Sequence, residues 1–137
     1  MNVLRAAVVA SASMLAVCPQ ARGCGEALRG TPSRIESARY DLVFTAVPEP
    51  IAAGKHFSLD IAVCPRAGAE QPKALRVDAT MPEHRHGMNY LPVVVSRGPG
   101  RYRADGLMFH MPGRWDVHFD VVTSAGSERL TAIEHIE

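Results

Sequence analysis

The chain has 137 residues, with 15 Lys and Arg against 14 Asp and Glu, so its formal net charge is +1. This length suits one domain, and the sequence lacks the basic stripe by which many proteins bind nucleic acid. We therefore expect a single domain with no nucleic-acid partner.

Residues 1–23 are predicted to be a signal peptide. Arg5 precedes an uncharged run over residues 6–17. This run is shorter than the roughly 20 apolar residues of a membrane-spanning helix, and it is typical of the core of a signal peptide. Small residues then precede a cleavage site ahead of Cys24, with lipoprotein processing at Cys18 and an uncleaved anchor as alternatives. The protein is thus expected to be periplasmic or otherwise exported, with a lipid-anchored or membrane-anchored form as the other interpretation.

Cleavage would leave two cysteines, Cys24 and Cys64. It would also remove Arg5 and Arg22 from the 15 basic residues, so that 13 oppose 14 acids and the net charge becomes about −1. In an oxidising compartment a disulfide between the two cysteines would strap the N-terminal tail to the domain. A lipid-modified cysteine and free thiols are the alternatives.

Residues 24–35 show no periodicity and are interpreted as a linker, followed by a domain over residues 36–137. In this domain short segments alternate apolar and polar residues between turn signals such as Gly98-Pro99-Gly100. A period of two predicts strands, and no segment has the pattern of an amphipathic helix. About seven strands favour an all-β fold, an antiparallel immunoglobulin-like β-sandwich. The predicted strands span residues 40–46, 57–63, 75–81, 93–96, 102–111, 115–121 and 130–136.

Two short segments, residues 81–90 and 108–113, hold three of the six histidines and every methionine outside the signal segment. Thioether sulfur favours Cu(I), and imidazole binds copper in either oxidation state. His84, His86 and Met88 are spaced by two residues, so an extended chain would project them to one side. These residues therefore predict a copper site, which the strand containing His110 would approach from the same end of the sandwich.

Each candidate ligand also has a purely structural interpretation. Met81 continues the apolar phase of its strand and is expected in the core. Met108 and Met111 lie on opposite faces of their predicted strand, so at least one should pack against the core. His110, next to Phe109, would otherwise be a buried histidine bonded to the backbone. The remaining histidines are expected to be solvated: His56, His118 and His135.

Several motifs in the second half of the chain follow one another in a specific order. They are Met81-Pro82, His84, His86-Gly87-Met88-Asn89, Gly100, Tyr102, Gly106-Leu107, Phe109-His110-Met111-Pro112-Gly113 and Trp115. In this order they resemble the YtkA-like family, over roughly residues 38–123. The resemblance implies an immunoglobulin-like sandwich in exported or membrane-tethered bacterial proteins, similar also to the FixH group. Some of these relatives are linked with copper handling or with the assembly of copper-containing respiratory enzymes.

The same resemblance implies which residues bind metal. The matching positions are His84, His86, Met88 and His110, with Met81 and Met111 as weaker candidates. Arg85 stands between the two histidines, where a glycine is common in the family. A cation there either opposes a nearby metal ion or points away into solvent.

We therefore expect an exported copper-binding protein that acts as a chaperone, buffer or resistance factor. Its cofactor or cargo would be a copper ion, Cu(I) or Cu(II), and its partner a membrane or periplasmic copper protein. A homodimer could share the metal between two chains. The alternative is a non-catalytic interaction module that assists assembly of a membrane or respiratory complex without metal. We expect no enzyme activity, since nucleophile motifs, phosphate-binding glycine loops and a blue-copper Cys-His-Met set are absent from the sequence.

Overall fold

The computed structural model describes residues 23–137, so the predicted signal peptide, residues 1–23, lies outside the described residues except for Gly23. The described chain is all-β, and no helix in it is long and apolar enough to cross a membrane. Its strands are β1 (Ser33–Glu36), β2 (Tyr40–Val47), β3 (His56–Pro65), β4 (Ala74–Met81), β5 (His86–Gly87), β6 (Val93–Gly98), β7 (Arg101–Met108), β8 (Gly113–Thr123) and β9 (Gly126–Ile136).

The strands form two antiparallel sheets that pack face to face. The first sheet has the order β1-β2-β3-β7-β6, and the second has the order β5-β4-β8-β9. Strand β1 lies against β9, and β6 lies against β4, so the two sheets cover each other from edge to edge. The all-β, antiparallel part of the prediction is therefore confirmed.

The core forms where the apolar faces of the two sheets meet. In β8 the side chains of Trp115, Val117, Phe119 and Val121 alternate with polar residues, and all four are at most 1% exposed. Phe119 packs against Phe44 of the first sheet, with ring centroids 5.0 Å apart. The period of two thus places every second residue in the core, as the sequence predicts.

The described chain contains two short strands beyond the seven predicted. β1 lies at the end of the segment interpreted as a linker and extends one residue beyond it. Its pairing with β2 makes these residues part of the first sheet, which their composition does not predict. β5 has two residues and pairs with the end of β4. The predicted strand over residues 102–111 ends at Met108 instead, because the chain leaves the sheet before the turn at Pro112-Gly113.

The N-terminal tail packs on the outer face of the first sheet. Gly25 contacts the side chain of Val43, and Gly30 approaches Thr45 and Glu49. This cover leaves Val43 3% and Thr45 1% exposed, although both face away from the core between the sheets. The segment is therefore a partial third layer rather than a free tether.

A disulfide between Cys24 and Cys64 fastens this tail, with the two Cα atoms 5.9 Å apart. Cys64 lies opposite Asp41 on the outer face of β3, where a surface strap can reach it. The bond predicted from the cysteine count is thus present in the structure.

The β6–β7 turn and the start of β8 depend on glycine. Gly100 has φ +65, and a Cβ there would collide with the carbonyl oxygen of Val63. Gly113 has φ +125, and a Cβ there would collide with the end of the Met81 side chain. The turn predicted from Gly98-Pro99-Gly100 is confirmed, and the bend before Gly113 brings β8 close to β4.

We predict that loss of the disulfide destabilises the fold by about 4 kcal/mol, because the bond closes a loop of 40 residues in the unfolded chain. Urea unfolding of the Cys24→Ser/Cys64→Ser variant against the oxidised protein measures this difference. A reductant should destabilise the parent protein and leave the variant unchanged. Equal stability of the two oxidised proteins would contradict the prediction.

Glu134 gives the fold a pH dependence of its own. It lies on the inward face of β9, opposite Trp115, and burial raises the pKa of its carboxyl group. A carboxyl with a raised pKa holds its proton more tightly in the folded chain than in the unfolded chain. Stability therefore falls as pH rises from the ordinary value of 4.5 through the raised pKa.

We predict that Glu134→Gln stabilises the protein at about pH 7 and has little effect below about pH 4. Thermal unfolding of the variant and the parent protein at the two pH values measures the difference in stability. The matched control is Glu128→Gln on the same strand. Hydrogen bonds from Ser37 and Arg39 lower the pKa of Glu128, so that substitution should destabilise the protein at neutral pH. The same sign for both variants at neutral pH would refute the interpretation.

Candidate metal centre

The site is built on a tight hairpin between β4 and β5. The His84 N–H donates to the Met81 carbonyl at 3.1 Å, and the Arg85 N–H donates to the Pro82 carbonyl at 3.3 Å. The chain then reverses, and His86 pairs with Met81 across the two strands. Residues 84–88 therefore do not form one extended segment. His84 lies in the turn and His86 lies in β5, so a spacing of two residues does not put their side chains on the same side of one strand.

Arg85 occupies the position that reverses the chain. Its φ is 56°, in the left-handed region that few residues other than glycine adopt readily. A glycine would adopt this conformation without the clash that a Cβ causes. Arg85 is exposed and forms no ion pair within residues 23–137.

His86 is half-buried at the end of the sandwich because its cross-strand partner, Met81, faces the core. Its ring centroid lies 4.9 Å from that of His110 and 5.8 Å from that of His84. Its Nδ1 lies 3.2 Å from the Gly87 carbonyl oxygen. The tautomer protonated at Nδ1 donates this bond and leaves Nε2 free to bind a metal.

His110 reaches the same place from the first sheet. It follows β7 and comes directly after Phe109, which is fully buried. The Phe109 carbonyl oxygen accepts a hydrogen bond from the Gly54 N–H at 2.8 Å. The Nδ1 atom of His110 is buried and has no hydrogen-bond partner within the described residues. The alternative predicted for this residue is a buried histidine bonded to the backbone, and no such bond forms through Nδ1 in the described chain.

Trp115 forms the floor beneath both rings. Its indole stacks on Phe109 with centroids 4.7 Å apart, and it lies 5.3 Å from His110 and 5.9 Å from His86. Its Nε1–H donates to the Met111 carbonyl at 3.0 Å. The strand pattern predicts Trp115 as a core residue, but its contact with both histidines cannot be read from sequence spacing.

The three methionines named as ligand candidates differ in exposure. Met81 is 1% exposed and belongs to the core, as its strand phase predicts. Met88 and Met111 are partly buried against that core, and the Met88 N–H donates to the Ala79 carbonyl at 3.1 Å. Two thioethers therefore lie in the partly exposed layer at this end, and the third lies beneath it.

The candidate ligands lie close to one another in this structure, but they do not form a coordination sphere. Over residues 23–137, no group of three or more His, Cys, Asp or Glu side chains is placed to hold a metal ion. His86 contacts both other rings, whereas His84 is exposed at the tip of the turn. A metal would have to draw the three imidazoles together.

No ring contact joins the other histidines to His84, His86 or His110 within the described residues. His118 was expected to be solvated, but its Nε2 lies 2.9 Å from the Thr80 hydroxyl and its Nδ1 lies 3.1 Å from the Thr131 hydroxyl. It thus bridges three strands on the outer face of the second sheet. His56 is exposed and packs edge-on against Tyr90 at 5.0 Å, and His135 is exposed.

Comparisons of the chain with protein-family models, curated proteins and solved structures found no match.

We predict that Arg85→Gly raises the free energy of unfolding by up to about 1 kcal/mol, because it relieves a left-handed backbone at a residue with a Cβ. Arg85→Ala is the matched control, since it removes the same charge and keeps the Cβ. Urea unfolding should rank Gly above Ala. The reverse order would show that the φ of Arg85 carries no strain.

Proposed function

We propose that this protein binds copper outside the cytoplasm, through His84, His86 and His110. The observation that supports this proposal best is the buried Nδ1 of His110, which has no hydrogen-bond partner among residues 23–137 and lies beside a second, half-buried imidazole. A buried polar atom without a partner costs about 1–3 kcal/mol. Ligation of a metal ion through Nδ1 would offset that cost.

The ring separations fit imidazoles that share an ion. A metal–nitrogen distance of about 2.0–2.1 Å places the centroids of two ligating rings about 4.5–6.4 Å apart, from a right-angled to a linear arrangement. The observed separations are 4.9 Å for His86 and His110 and 5.8 Å for His84 and His86. A shared ion would further require the rings to rotate and His84 to approach His110, with which it makes no ring contact in the described chain.

The donor chemistry favours copper over harder metals. Imidazole nitrogen suits both copper oxidation states, and the thioethers of Met88 and Met111 favour Cu(I). Met81 would have to leave the core to take part, so it is the weakest of the candidates. The set contains no carboxylate ligand of the kind that magnesium or calcium requires.

The exposure of the ligands suggests how metal would be exchanged. His84 is exposed at the tip of the turn and would meet the ion first, whereas His110 is held by the packing of Phe109 on Trp115. Trp115 would keep water from one side of the ion. Such a site, with one accessible ligand, suits transfer to a partner, as in a chaperone or buffer.

The finer fold assignment and the export of the protein belong to the same proposal. The two antiparallel sheets are consistent with an immunoglobulin-like sandwich of the YtkA-like type. The Cys24–Cys64 disulfide supports an oxidising compartment, where such bonds persist. A signal peptide over residues 1–23 would deliver the chain there.

A second candidate function rests on a different surface. Tyr90, Leu91, Val93 and Val95 are exposed along edge strand β6 and the segment before it, and Leu91 is 86% exposed. Contiguous apolar residues on an edge strand are typical of protein interaction sites. An interaction module that assists assembly without metal would use this surface alone.

We predict that the purified protein binds one copper ion. His86→Ala or His110→Ala should weaken the affinity for copper by more than about 100-fold, because loss of a residue that only hydrogen-bonds to a ligand costs about 10–100-fold. Competition with a chromophoric chelator measures this, with Cu(I) under anaerobic reducing conditions and Cu(II) separately. His135→Ala, which removes an exposed histidine outside the cluster, is the matched control and should bind as the parent does.

The outcome separates the two functions. Tight binding that is lost in variants with an unchanged melting temperature supports the copper site. Absence of binding in both oxidation states would refute it. In that case the exposed surface of Tyr90, Leu91, Val93 and Val95 would remain as the basis of an interaction module.

A further inference from the structure

A second site candidate lies on the outer face of the first sheet, towards the end opposite the histidines. A groove of about 230 Å³ opens there between the N-terminal tail, β3 and the β6–β7 hairpin. Leu28 and Arg29 of the tail line one side, and Arg97, Arg101 and Tyr102 line the other. Three arginines from two separate chain segments thus line one cavity.

None of these three arginines has a carboxylate partner in the described part of the chain. Residues 1–22 contain no Asp or Glu that could supply one. The single acidic residue of the groove, Asp60, is already paired with Arg103 at 2.9 Å. Most other arginines form ion pairs: Arg39, Arg66, Arg76, Arg103, Arg114 and Arg129.

The backbone holds the two sides of the groove in place. The Val63 N–H donates to the Gly100 carbonyl at 2.7 Å, which fixes the turn between Arg97 and Arg101 against β3. The disulfide and a hydrogen bond from Arg34 to the Cys24 carbonyl at 3.2 Å fix the tail that carries Arg29. The like charges are therefore kept together by the fold.

We propose that this groove binds a phosphate group. Guanidinium forks match phosphate oxygens with paired hydrogen bonds, and a dianion offsets the repulsion among three cations. The volume lies below the roughly 300 Å³ of pockets for larger organic ligands, so it suits a single small oxyanion or headgroup. Free inorganic phosphate and the phosphodiester of a lipid headgroup share these acceptor oxygens, and only free phosphate carries the second negative charge.

Two properties distinguish the groove from the proposed copper site. It lies beside the β6–β7 turn, whereas the histidines lie where β7 ends. It also depends on the strap, because reduction of Cys24–Cys64 would release the tail and Arg29. Phosphate binding should therefore require the oxidised protein and should be unaffected by His86→Ala.

Calorimetric titration of the purified oxidised protein with inorganic phosphate tests the proposal. Saturable binding is expected, with a loss of about tenfold in affinity for each of Arg97→Ala and Arg101→Ala, since each removes a charge-assisted hydrogen bond. The matched control is Arg76→Ala on the opposite sheet, which should leave the affinity unchanged. All titrations are run at one ionic strength, because salt screens exposed charges.

A second arm distinguishes the source of the phosphate. Vesicles of phosphatidylglycerol are compared with vesicles of phosphatidylcholine, using the same variants. Binding of free phosphate, or of phosphatidylglycerol vesicles, that is weakened about tenfold in Arg97→Ala and in Arg101→Ala but not in Arg76→Ala supports the groove. The proposal is overturned if neither ligand binds, or if Arg76→Ala weakens binding as much as the groove variants do.

Discussion

The packing of Trp115 is the constraint on which the rest of the structure depends. Its fully buried indole stacks on Phe109 and donates to the Met111 carbonyl, which ties the start of β8 to the segment after β7. This contact closes one end of the sandwich and joins the two sheets there. His110 from the first sheet and His86 from the second both rest on the same ring. Without this floor, the two imidazoles would belong to separate loops.

Much of the fold follows from the sequence because one face of each long strand is buried. The alternation in β4 and β8 places Met81 and Trp115 in the core, and the glycine turns place the strand ends correctly. Residue type and resemblance identify the candidate ligands, and the structure brings His84, His86 and His110 close together. Metal binding itself stays a prediction.

Other features could not be predicted because long-range pairing determines them. β5 has only two residues, and its position depends on the left-handed turn at Arg85 rather than on any alternation. The tail over residues 24–31 has the composition of a linker, yet the disulfide and the covered side chains of Val43 and Thr45 make it part of the domain. His118 appears on the polar face of a strand, but two threonines from neighbouring strands bind it. The arginine groove likewise depends on where the tail crosses the sheet.

The central claim is that a metal ion binds beside the floor formed by Trp115, the only tryptophan in the chain. Copper-dependent quenching of its fluorescence tests this most directly, because Cu(II) quenches an indole only at short range. We predict saturable quenching at one copper per chain, which is lost in the His86→Ala/His110→Ala double variant and retained in His135→Ala. Quenching that persists in the double variant, or copper binding that leaves the fluorescence of Trp115 unchanged, would contradict the account.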